Sequence, residues 1–151
     1  MILRDILGMK GSLVHTISPE ASLDDVLQKL VRLNIGSLVV CEQETDIVIG
    51  IITERDILRT QATHKAPLEQ LRVRLSMSRG LVTASPDDTI ELAMGLMTHH
   101  RVRHLPIVNE GRIVGMISIG DVVKAEHDEV VIENHYLRRY IQGGSAEALT
   151  V

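Results

Sequence analysis

Two stretches place a hydroxyl and a carboxylate three residues apart at the end of an apolar run: Gly50-Ile51-Ile52-Thr53-Glu54-Arg55-Asp56 and Gly115-Met116-Ile117-Ser118-Ile119-Gly120-Asp121. A Ser or Thr with Asp three residues on has the spacing of a helix N-cap and its third helical residue. Each pair can therefore close a capping box. The same spacing supports a second chemistry. A helix N-terminus presents free N–H groups and a positive dipole end to a phosphate, and a hydroxyl there donates to a phosphate oxygen. The carboxylate would repel that phosphate, so it faces a ribose, whose cis-diol offers two donors to two acceptor oxygens. Thr53 and Ser118 then serve phosphate, and Asp56 and Asp121 serve ribose. The two chemistries are compatible.

The elements that position these residues also come twice. Thr16-Ile17-Ser18-Pro19-Glu20 and Thr83-Ala84-Ser85-Pro86-Asp87 each open a unit as an extended piece, because proline disfavours helix at the residue before it. Ser22 with Asp25, and Thr89, can cap the helices that follow. Their apolar faces are Leu23, Val26, Leu27, Leu30 and Val31 in one and Ile90, Ala93, Met94 and Met97 in the other. Asn34 and Gly36 stop the first helix, and His100-Arg101 ends the second. Strands expected at 38–41 and 47–52 form one hairpin, and strands at 105–108 and 113–117 form the other. The copies lie 67 residues apart before the hairpin turn and 65 after it, as two extra residues in the first turn require. Each unit reads strand, helix, strand, strand, helix.

This pattern divides the chain into an entry segment at 1–14, a repeat at 15–60, a linker at 61–80 and a second repeat at 81–125. A C-terminal helix at 126–143, ended by Gly143-Gly144, and a frayed tail at 144–151 follow. With two Tyr and no Phe or Trp, the core must be aliphatic. A formal charge of −4 with scattered basic residues lacks the footprint of a nucleic-acid binder. Cys41 is the only cysteine, which excludes an internal disulfide; it reads as a small buried hydrophobe. No apolar run is long enough for a membrane span and no secretory pattern is present, so the expected compartment is the cytoplasm. His100 and His104 have helical metal-pair spacing, but the helix should end between them. No nucleophile–base pair, acid pair or metal cage points to an enzyme.

The T-x-S-P opening, apolar helix, hairpin and closing motif, twice in order, resemble a tandem pair of CBS domains, the modules named after cystathionine β-synthase. The resemblance covers 16–59 and 83–124. The second copy, with His100-Arg101-Val102-Arg103-His104-Leu105-Pro106, looks like that of small stand-alone bacterial CBS-pair proteins, in which a helical C-terminal tail is usual. The fold implied is α/β (α+β): two βαββα repeats packed about a pseudo-twofold axis into one module, with modules joined as a homodimer. Also implied is an adenosyl ligand (AMP, ADP, ATP, NAD or S-adenosylmethionine) in a cleft between the repeats, acting in regulation or energy sensing on an unidentified partner protein. In related nucleotide-sensing modules, basic residues before the strand contact phosphates, which makes Arg103 and His104 candidates, with Arg55 a further one. The adenine is expected between apolar strand residues, its edge read by backbone groups; the candidates are Ile17 and Ala84, which follow the opening Thr16 and Thr83, and the apolar residues of the closing strands. Since the first copy has Gly36 and Ser37 in register with Arg103 and His104, the second copy is expected to hold the phosphate. The alternative is a ligand-free dimeric scaffold that binds a protein partner.

Overall fold

Ser22 starts the first long helix as its sequence requires. Its hydroxyl accepts the Asp25 N–H at 3.0 Å, and the Asp25 carboxylate accepts the Ser22 N–H at 3.1 Å. The computed structural model describes residues 1–142 in full and the backbone of 143–150. In it, helix α2 (Leu23–Leu33) buries Leu23, Val26 and Leu30 and stops at Asn34, whose left-handed φ of 53° asparagine tolerates. Val31, expected on the buried face, is 73% exposed. Strands β2 (Ser37–Cys41) and β3 (Val48–Thr53) form an antiparallel hairpin. The short strand β1 (Thr16–Ile17) pairs parallel to β2, with Thr16 beside Val39. Thr53 then caps α3 (Glu54–Thr63).

The second repeat follows the same plan. Thr89 accepts the Leu92 N–H at 3.1 Å and starts α5 (Ile90–His100). Strands β4 (His104–Asn109) and β5 (Arg112–Ser118) form its hairpin. Both hairpins shift register at matching places, Val40/Cys41 and Ile107/Val108. The opening strand expected at Thr83 is reduced to one parallel bridge, Ala84 to Ile107. The repeats meet where Ile47 bridges Arg112. Val39, Cys41 and Ile113 are buried together there, with the half-buried Val48, Val108 and Met116 packed against them.

The segments expected to be entry and linker are built parts of the fold. Helix α1 (Leu3–Lys10) precedes the first repeat but buries Leu3, Ile6 and Leu7 in the core of the second. A 3₁₀ turn (Leu68–Gln70) and the one-turn helix α4 (Val73–Ser76) precede the second repeat. Yet Leu71, Val73 and Met77 are buried in the core of the first. The two leading segments dock alike. Val73 N–H donates to Ala21 O and Arg74 N–H to Pro19 O, both at 2.9 Å; Leu3 N–H donates to Asp88 O at 2.9 Å and Arg4 N–H to Pro86 O at 2.8 Å. Ion pairs repeat the theme at 2.8 Å, Arg74 with Glu20 and Arg4 with Asp87.

After Ser118 the chain enters α6 (Ile119–Thr150), one helix where two were expected. Val122 and Ala125 are buried against the second repeat, while 127–142 are exposed. The expected tail at 144–151 lies outside the fully described residues.

Candidate functional site

Both closing motifs form capping boxes. The Asp56 Oδ2 atom accepts the Thr53 N–H at 2.9 Å and its hydroxyl at 3.1 Å, and the Thr53 Oγ1 atom accepts the Asp56 N–H at 3.4 Å. Asp56 is only 7% exposed. Its other oxygen, Oδ1, takes none of these bonds. In the second motif, Asp121 Oδ2 accepts the Ser118 N–H at 2.8 Å, and Ser118 Oγ accepts the Asp121 N–H at 3.1 Å. Here a further partner is present. Lys10, at the end of α1, donates to Asp121 Oδ2 at 2.6 Å and to the Met116 carbonyl at 2.8 Å. Burial alone would raise the Asp121 pKa. The hydrogen bonds from Lys10 and Ser118, with the Lys10 charge, outweigh it and hold the carboxyl below the usual range.

A cleft of about 810 Å³ lies between the repeats. Thr53, Arg55 and Asp56 line it from the first repeat, and Arg101, Arg103 and His104 from the second. The basic run therefore faces the closing motif of the other repeat. Ser118 and Asp121 are not among the residues lining this cleft; they lie beneath α1. Thr16 and Ile17 line a separate depression of about 630 Å³ with Asp25, Lys29 and Asp46. Thr83 is exposed, and Ala84 is buried in the core of the second repeat. The geometry brings together Thr53, Arg55, Asp56, Arg103 and His104 and leaves the other six candidates elsewhere.

Residues 78–80, counted in the linker on sequence grounds, and 81–82, at the start of the second repeat, complete the wall. Ser78 and Ile51 exchange backbone hydrogen bonds at 2.9 and 3.0 Å, placing Gly80, Leu81 and Val82 along the cleft. The only signal for them was the doubling of the leading segments, which share little sequence. Arg59, one turn beyond Arg55 on α3, also lines the cleft, and its spacing from Arg55 could have shown it.

His104 differs from the charged contact its type allows. Burial lowers its pKa most; the nearby charges of Lys10 and Arg103 add to that, and Asp121 only partly opposes it. The lowered pKa favours the uncharged imidazole, which has one N–H to give.

The model of the CBS domain matches the chain twice, over residues 3–63 and 71–128. The chain belongs to the CBS-domain family. It is a CBS pair, a class of module that is typically regulatory and non-catalytic. Each match takes in a leading segment, and so begins earlier than the openings at Thr16 and Thr83. The mitochondrial CBS domain-containing protein CBSX3 of Arabidopsis thaliana is 37% identical over 123 residues, 80% of this chain and 60% of that protein. The chain thus spans about 60% of that relative's length. The crystal structure of the CBS-domain protein ATU1752 from Agrobacterium tumefaciens is 36% identical, with a TM-score of 0.76 over 83% of this chain and 99% of that one. CBSX2, crystallised in complex with AMP, shares the fold at 24% identity, with a TM-score of 0.67 over 76% of this chain and 88% of that one. Among the described residues of this CBS pair, no group of three or more His, Cys, Asp or Glu is placed to hold a metal ion. No helix among them is long and apolar enough to cross a membrane.

Proposed function

We propose that this CBS pair is a non-enzymatic sensor that binds an adenine nucleotide, AMP, ADP, ATP or NAD(H), in the cleft between its repeats. One observation carries this reading: Thr53 and Asp56 of the first repeat face Arg101 and Arg103 of the second across one cavity. Asp56 Oδ1 takes the ribose, while Thr53, the N–H groups opening α3 and the facing arginines take phosphate. The adenine lies against Ile51, Leu81 and Val82, its edge read by backbone groups. A ligand held by both repeats binds best in one relative arrangement of them, and that preference is what a sensor passes on. Dimerisation with a second copy and control of a separate partner protein belong to the same reading.

Calorimetry with AMP, ADP, ATP, NAD and NADH tests it, with AMP first because CBSX2 binds it in the same fold. Binding by at least one is expected, and Asp56→Asn should abolish it while keeping an oxygen to accept the Thr53 N–H. Silence toward every nucleotide at millimolar concentration would overturn the proposal. A second reading, a scaffold with empty clefts, is favoured by the fact that both motifs are already satisfied as caps. Under it, Asp56→Asn changes thermal stability alone.

A further inference from the structure

We infer that the ligand of this cleft carries two or more linked phosphates, as a nucleoside di- or triphosphate or a dinucleotide does, and not a lone phosphate. The inference rests on the adenine-nucleotide reading and narrows it. Four guanidinium groups, Arg55, Arg59, Arg101 and Arg103, line one cavity, against two carboxylates, Glu54 and Asp56. Four positive charges less two negative leave a formal +2 around the cleft, in a chain whose net charge is −4. Asp56 is moreover buried and bonded inside its own capping box. Among the described residues, none of the four arginines forms an ion pair, whereas Arg4 and Arg74 elsewhere in the fold are both paired at 2.8 Å.

Arg101 adds a conformational observation. It occupies the C-cap of α5 with φ of 55°, in the left-handed region. The equivalent C-cap of α2 is Asn34, a residue that accepts this conformation more readily. An arginine there complements the negative end of the α5 dipole, which accounts for one of the four charges and not the rest. Burial lowers the His104 pKa, so the field of the cleft is counted from the four arginines and the two carboxylates. A terminal phosphate carries a charge of about −1.5 to −2, which one bidentate arginine and the start of α3 go far to satisfy. The other guanidiniums call for further phosphate oxygens. A cavity of about 810 Å³ leaves room for them.

The test titrates the full chain with AMP, ADP, ATP, NAD and inorganic tripolyphosphate at one fixed ionic strength. At least one of ADP, ATP and NAD is expected to bind about tenfold or more tightly than AMP, as one added charged hydrogen bond provides. The double variant Arg101→Asn, Arg103→Gln should weaken every nucleotide but erase that preference, costing the polyphosphate ligands about tenfold more than AMP, while Asn preserves the left-handed cap. AMP binding as tightly as the others, or a preference that survives in the double variant, would overturn the inference and leave the nucleotide reading standing. Tripolyphosphate binding without any nucleotide would remove adenine recognition and uphold the polyphosphate site. Silence toward all five probes would remove both.

Discussion

Replacing Lys10 by alanine cuts the bond between the end of α1 and the second closing motif. The ammonium lies 2.6 Å from Asp121 and 2.8 Å from the Met116 carbonyl, with side-chain exposures of 36% for Lys10 and 25% for Asp121. At that exposure solvent screens the pair, and its worth is about 1 kcal/mol. The rest of the helix stays seated, because Leu3, Ile6 and Leu7 are each no more than 9% exposed. Asp121 keeps its bond from the Ser118 N–H, so no buried charge is orphaned. A loss of about 1 kcal/mol lowers the melting temperature of a chain this size by roughly 2–4 °C. The pH dependence follows from the lowered Asp121 pKa. Its contribution is full above the unfolded carboxyl value of about 3.9 and is lost as pH falls through the lower folded value. Thermal melts across the acid limb should therefore show the variant less stable near neutrality and converging on the parent in strong acid. His104, relieved of the Lys10 charge, should titrate at higher pH by NMR. A neutral melting temperature within about 1 °C of the parent, with an unmoved His104, would refute the assigned bridge.

Gly50→Ala should destabilise by about 1–3 kcal/mol in urea unfolding, because its Cβ would lie 3.0 Å from the Ser78 carbonyl, which Ile51 holds in place. Gly115→Ala would set a Cβ 2.5 Å from Leu7 Cδ2, so its cost should shrink when Leu7→Ala is made with it in a double-mutant cycle. Cys41 is 4% exposed and its thiol is pushed up to about 11 by burial and then by Asp46; it should resist Ellman's reagent until the chain unfolds. The lowered His104 pKa means that stability should decline as pH drops below the unfolded value of about 6.5 and approaches the folded one, a limb that His104→Gln should remove in acid-range melts.

The repeats were legible because their signals are local. Capping boxes at Ser22, Thr53 and Ser118 span three residues, and the bonds form as the spacing demands. Hairpins and helix faces likewise declare themselves within a few turns, apart from Val31. The cleft was less legible because it depends on how the halves meet. Arg103 is adjacent in sequence to His104 and near Ser118 through strand pairing, yet it lines a cavity with Thr53 and Asp56. That exchange sets the first closing motif, and not the second, beside the cleft that Arg103 and His104 line. Ala84 looked available beside an opening threonine, but a parallel bridge to Ile107 draws it into the core. The doubling of α1 and the segment at 71–77 went unseen because their likeness is in docking. Apart from Arg4 and Arg74 they share few residue types.

The crossed placement of these leading segments has a consequence for any shortened form of the chain. A fragment holding the first repeat and its own α1 carries the cover for a neighbour it lacks, and it lacks the cover that Leu71, Val73 and Met77 provide. A fragment with the second repeat and α4 is in the converse position, without Leu3, Ile6 and Leu7. The two fragments, mixed, would complete one another only by trading covers. The duplicated chain is in this sense a domain-swapped pair written in one polypeptide, and its halves should be sought as exchanging partners, not as independent folds.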